Sequence, residues 1–131
     1  MTPAQATQRG RQLLAAVGGL DLASGLGLVL VPQVLLPLAG LVVPAGEGLV
    51  YCRFLGTMVA AVGACCWLAL RGATMLRAGL ALTCAFRAGA GLFVTAALML
   101  GWLQWPWVVV AGADFVLWAA QVVLLRAGAG A

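Results

Sequence analysis

Four stretches of this chain are each apolar over the roughly 20 residues that a helix needs to cross a bilayer. They run from about Gln12 to Val31, about Leu49 to Leu70, about Met75 to Gly101 and about Trp105 to Leu125, and Pro32 stops the first of them. Of the 131 residues, 65% are hydrophobic and 8% charged, and the mean hydropathy is +1.14. A water-soluble domain of this size carries far more polar surface, so the apolar excess has to face lipid. The fold class expected is all-α: one integral membrane domain over residues 1–131, built as an antiparallel four-helix bundle.

Charge placement sets the orientation. Arg9 and Arg11 precede the first span, Arg71 and Arg77 lie in or beside the link between spans two and three, and Arg126 follows span four. The other two links carry Glu47 and no basic residue. Basic residues accumulate on the cytoplasmic side, so both termini are expected there. The chain has no His, Lys, Asn or Ile and is rich in Ala, Gly, Leu, Val and Arg. That bias matches GC-rich coding and points to a bacterial source, hence to a bacterial inner membrane. Arg9-Gly10-Arg11 before an apolar run looks like the start of a signal peptide, but Asp21 interrupts the run, and the segment is expected to be retained.

The outer links have their own chemistry. Trp102, Trp105 and Trp107 form an indole belt of the kind that settles at a membrane interface. Between spans one and two, Pro32 to Gly48 is apolar, and its three prolines forbid one continuous helix. This segment is expected to lie in or dip into the outer interface and cover the bundle, with a kinked extension of span one as the alternative.

Lipid tails are as apolar as Leu, so spans associate through close approach and hydrogen bonds, which small residues four apart favour. Span one offers the row Ala15, Gly19, Ala23 and Gly27, and span two the row Gly56, Ala60 and Ala64. Span three offers Thr83, Arg87, Gly91 and Thr95, a row both small and polar. Gly19, Gly27, Gly56 and Gly91 are therefore the expected packing glycines.

Within the spans sit the polar core and ligand candidates Asp21, Arg53, Thr83, Arg87, Asp114 and Gln121. At 1.5 Å of rise per residue, Arg87 lies roughly 18 Å up span three and Asp114 roughly 17 Å up span four, so the two are expected to pair. Asp21 lies about 14 Å up span one and Arg53 about 24 Å up span two. Arg53 either reaches down to Asp21 or snorkels outward to Glu47 and the headgroups, leaving Asp21 to Arg87. With Arg53 included, two acids and two bases are formally neutral. On span four, Trp118 and Gln121 share the face of Asp114, and with Thr83 and Thr95 they extend a polar seam. Such a set reads as a structural clamp or as a small cavity for a lipid headgroup, a quinone, a proton or an ion.

Other chemistry is thin. Cys52, Cys65, Cys66 and Cys84 lie in apolar runs without C-x-x-C spacing and read as small buried apolar residues. There is no imidazole base, no metal-ligand cluster and no phosphate-binding loop. The net charge of +4 is too small and scattered for nucleic acid. No cofactor, metal or catalytic residue is implied.

An Asp early in span one, Arg53-Phe54-Leu55-Gly56 near the start of span two with Gly63 beyond it, and an Asp in span four together resemble the DoxX-like small bacterial membrane proteins. The resemblance implies a four-helix bundle serving as companion subunit of a membrane redox system, with Arg53 and Gly56 at its matching positions. Arg87 and the proline-rich segment have no counterpart in it. The function expected is that of a non-catalytic accessory or scaffold subunit of a larger membrane assembly, redox or energy-converting, with other membrane subunits or a second copy as partners. One alternative is a small proton- or solute-coupled transporter lined by Asp21, Arg87 and Asp114. A lesser one is a thiol or metal carrier using Cys65 and Cys66, which resemble the vicinal cysteines of some mercury transporters.

Overall fold

The first helix begins earlier than hydropathy alone predicts. Thr2 caps it: the Thr2 Oγ1 accepts from the Gln5 N–H at 3.3 Å and the Thr2 N–H donates to Gln5 Oε1 at 3.0 Å. Pro3 follows at the first helical position, where its missing N–H costs nothing. The computed structural model describes residues 1–131 and contains helices and no strand. In order they are α1 (Pro3–Leu30), α2 (Pro32–Leu38), α3 (Glu47–Ala69), α4 (Ala73–Met99), a single 3-10 turn at Trp105–Trp107, and α5 (Val108–Arg126). Four are long and apolar enough to cross a membrane: α1, α3, α4, and the 3-10 turn continued by α5.

Proline and glycine punctuate the chain as their backbone chemistry requires. Pro32 disfavours helical geometry at the residue before it, and Val31 leaves the helix at φ −136°. The proline-rich segment then makes the short helix α2, with Pro32 and Leu36 buried and Leu35 packed over Gly27. After α4, Gly101 adopts φ +72° and the Trp102 N–H closes back on the Ala97 carbonyl at 2.8 Å. After α5, Gly128 does the same at φ +82°, with the Ala129 N–H on the Leu124 carbonyl. Both are left-handed terminations that a glycine adopts without a Cβ penalty.

Large apolar side chains line the outer surface, while charged and polar side chains are among the buried residues. Leu38, Met99 and Val109 are 80%, 84% and 72% exposed, while Asp21, Thr83, Arg87, Asp114 and Gln121 are all buried. Large apolar side chains left outward in this number call for an apolar surrounding.

Packing falls into two pairs, α1 with α3 and α4 with α5, and contact between the pairs is slighter. In the first pair Gly18 faces Gly63 and Gly25 faces Gly56, so numbers fall along α3 as they rise along α1. A Cβ placed on Gly63 would lie 2.6 Å from the Leu22 backbone nitrogen and 2.7 Å from the Gly18 carbonyl oxygen. The two backbones approach this closely only because no Cβ intervenes.

This corrects the expected row in span one. A Cβ on Gly19 would meet nothing within 4 Å, and Gly27 faces Leu35 of α2 rather than a neighbouring span. Each residue turns the helix by about 100°, so a row read one position late points away from the partner. Gly56 and Gly91 do lie at contacts: a Cβ on Gly91 would lie 3.2 to 3.4 Å from the Phe115 ring.

The two pairs meet most fully at the end that holds the start of α1, the end of α3, the start of α4 and the end of α5. There Ala6, Leu14, Cys66, Ala69, Leu76, Leu80, Leu124 and Ala129 form one buried cluster. Two hydrogen bonds tie the same end: Arg11 Nη1 donates to the Leu70 carbonyl at 2.9 Å, and the Gly130 N–H donates to Thr7 Oγ1 at 3.1 Å. The first of these satisfies a carbonyl that the end of α3 leaves open.

Candidate functional site

On α4 the buried residues are Leu76, Leu80, Thr83, Cys84, Arg87, Gly91, Val94 and Ala97. They recur every three or four positions, which makes one stripe along the helix. Arg87 lies in the middle of that stripe, so the guanidinium is carried inward by the same periodicity that buries the leucines. Counted from Ala73 it lies about 21 Å along α4, and Asp114, counted back from Arg126, lies about 18 Å along α5. The two are level, as the depth argument predicts.

The guanidinium serves two acids at once. Arg87 Nη1 donates to Asp114 Oδ1 at 2.6 Å, and Arg87 Nη2 donates to Asp21 Oδ2 at 2.6 Å. A planar fork with two outward nitrogens suits this, because each nitrogen can hold a different carboxylate. Asp21 comes from α1 and Asp114 from α5, so one side chain on α4 binds its own partner helix and the other pair. These are the only two ion pairs in the structure.

Arg53 is not among them. It is exposed on α3, and its carbonyl accepts from Thr57 Oγ1 at 3.1 Å. The register of the glycine seam explains this: midway between Gly18 and Gly25, Asp21 lies opposite the region of Ala60, about 10 Å along α3 from Arg53. Asp21 therefore pairs with Arg87. The expected neutral set of two acids and two bases becomes a triad with two acids and one base. Its formal charge is −1.

Below the triad, Gln121 Nε2 donates to Thr83 Oγ1 at 2.9 Å, and Thr83 Oγ1 donates to the Gly79 carbonyl at 2.8 Å. The pair links α4 to α5 but makes no hydrogen bond to the triad. Two buried polar atoms have no partner, Arg87 Nε and Gln121 Oε1. Thr95 turns back onto its own helix, donating to the Gly91 carbonyl at 2.7 Å, and Trp118 stays partly exposed. The expected seam is thus shorter than the row of polar residues.

The remaining candidates are dispersed. Cys65 is exposed and Cys66 buried, so the vicinal thiols do not share a face. No three of the Cys, Asp and Glu side chains come together as metal ligands would. Trp102 and Trp105 are exposed and Trp107 is half-buried, all near the 3-10 turn.

Gly18, Gly25 and the pairing role of Gly63 escaped the sequence reading. Their signal was present: the interval Gly18 to Gly25 equals the interval Gly56 to Gly63. Two equal intervals of two helical turns let the helices mate at both points in one register. In comparisons with protein-family models, curated proteins and solved structures, nothing matches this chain.

Proposed function

We propose that this chain is a small non-catalytic accessory or scaffold subunit of a larger membrane assembly. The observation that carries this reading is how the buried charge is used. All three buried charged side chains are engaged in joining helices, while the outward faces keep large apolar groups such as Val109, Phe93 and Leu92. A body of that kind offers packing surface to lipid and to other membrane subunits. The assembly would be redox or energy-converting, as the resemblance to DoxX-like proteins implies.

In this reading the four spans are an antiparallel bundle in a bacterial inner membrane. Arg9, Arg11, Arg71, Arg77 and Arg126 lie toward the cytoplasm, together with both termini. The tryptophans at 102, 105 and 107 and the segment containing α2 lie at the outer interface. Purification from its native membrane in mild detergent, followed by identification of co-purifying proteins, tests the proposal. A stoichiometric membrane partner is expected. A solitary bundle with no partner overturns it.

A second reading, a small proton- or solute-coupled carrier, is favoured by one observation: two buried acids share a single base. Proton or solute flux into liposomes, lost in Asp114→Asn, would support it, and absence of flux counts against it.

A further inference from the structure

We propose that the Asp21–Arg87–Asp114 triad is a proton-binding site, in which one carboxyl of the pair carries an exchangeable proton at neutral pH. The inference goes beyond the accessory-subunit reading and does not depend on transport.

Each long helix contributes buried polar or titratable groups to the interior that holds the guanidinium. From α1 comes Asp21; the nearby Ser24 hydroxyl is turned onto the Asp21 carbonyl at 3.3 Å. From α3 comes Cys66, while the charged residues of that helix, Glu47 and Arg53, are both exposed. From α4 come Thr83, Cys84 and Arg87, and from α5 come Asp114 and Gln121. Thiols are uncharged at neutral pH, and ionising one would only add negative charge. With both acids ionised the site is left at −1, and no other cation is near enough to form an ion pair with either acid.

A net charge at mid-span is costly, because the low-dielectric interior cannot screen it. Two acids that share one base relieve that cost when one of them stays protonated. The triad then holds one guanidinium, one carboxylate and one carboxylic acid, and is neutral. Because the acids are coupled through Arg87, the proton belongs to the pair and not to either residue.

The geometry leaves a place for it. Arg87 uses one oxygen of each acid, Asp21 Oδ2 and Asp114 Oδ1. Asp21 Oδ1 and Asp114 Oδ2 receive no hydrogen bond from the protein, yet neither is sealed off as Arg87 Nε and Gln121 Oε1 are. The two Asp side chains keep 13% and 11% of their surface accessible, against 7% for Arg87. The free oxygens are thus the part of the triad that an exchanging proton can reach. Uptake and release switch the site between neutral and −1 at the one ion-paired contact between the helix pairs.

Infrared spectroscopy of the full chain in an ester-free detergent tests this directly. The chain has only Asp21, Glu47 and Asp114 as side-chain acids, and Glu47 is exposed. At neutral pH we expect one protonated-carboxyl C=O band per chain, shifted on exchange into deuterated water. Asp21→Asn and Asp114→Asn should each abolish it, because the remaining acid is matched by Arg87. A wild-type spectrum without the band overturns the proposal even where the variants fail to fold. So does a band that survives in both variants, and so does removal of the band by sodium ions at constant pH, which would make the site one for a cation.

Discussion

Along α1 and α3 the facing positions are Gly18 with Gly63 and Gly25 with Gly56, and the side-chain hydrogen bond between this pair, Arg11 to the Leu70 carbonyl, lies beyond the seam at the end of α3. Along α4 and α5 they include Arg87 with Asp114, Thr83 with Gln121 and Gly91 with Phe115. The first seam holds by backbone contact between glycines, and the second by directed polar bonds. Both are ways of associating helices where burial of apolar surface supplies no drive. They fail differently, because a glycine seam is damaged by adding atoms and a polar seam by removing a partner. Asp21 breaks the symmetry: it starts beside the glycine seam and bonds across to Arg87.

The largest expected effect comes from removing the member common to both acids. Arg87→Met leaves two carboxyl groups buried without their cation and should destabilise the fold by about 3–5 kcal/mol, the usual cost of breaking a buried ion pair from one side. Because Asp21 also depends on Arg87, the double change Arg87→Met/Asp114→Leu still strands an acid and should remain unstable. The triple change that adds Asp21→Leu should recover most of the loss, since apolar side chains can replace a buried ionic set. Thermal unfolding followed by circular dichroism in detergent measures all three. Equal stability of Arg87→Met and wild type would remove the triad from any account of how the pairs are joined.

This test also marks how far the sequence was legible. The spans, the stop at Pro32 and the level of Arg87 with Asp114 follow from length, proline chemistry and helical rise, all of which act along one helix. The partner of Asp21 does not, because it depends on the register between α1 and α3. Register is set by the glycine that faces the neighbour, and Gly18 and Gly19 are indistinguishable by composition. Once the seam is read as Gly18, Gly25, Gly56 and Gly63, Arg53 falls too far along α3 to reach Asp21. Depth alone leaves Asp21 a choice between Arg53 and Arg87, and the register of the seam selects Arg87 and so makes the site −1.

The glycine seam can be broken on its own terms. A Cβ on Gly25 would collide with the Ala60 backbone and lie 2.6 Å from the Gly56 carbonyl oxygen. Backbone atoms cannot rotate aside, so Gly25→Ala should cost about 1–3 kcal/mol as an overpacked contact. Gly19→Ala, whose Cβ enters open space, should instead stabilise α1 slightly, by up to about 1 kcal/mol from helix propensity. Unfolding midpoints of the two variants should therefore move in opposite directions. Movement in the same direction would mean that the α1–α3 contact is not built on this face.

The smallest effect should come from Gln121→Leu in the polar seam, for a reason particular to its surroundings. Gln121 is fully buried, its Nε2 donates to Thr83, and its Oε1 has no donor. Losing the bond to Thr83 forfeits about 1 kcal/mol, while removing an unsatisfied buried oxygen returns about 1–3 kcal/mol. Thr83 is not stranded, because its hydroxyl already donates to the Gly79 carbonyl. Leucine keeps a similar volume, so no cavity is added to the loss. The expected change in the unfolding midpoint is accordingly near zero or slightly upward. A loss as large as that of Arg87→Met would show instead that Gln121 is coupled to the triad, and that the polar seam acts as one network from Thr83 to Asp114.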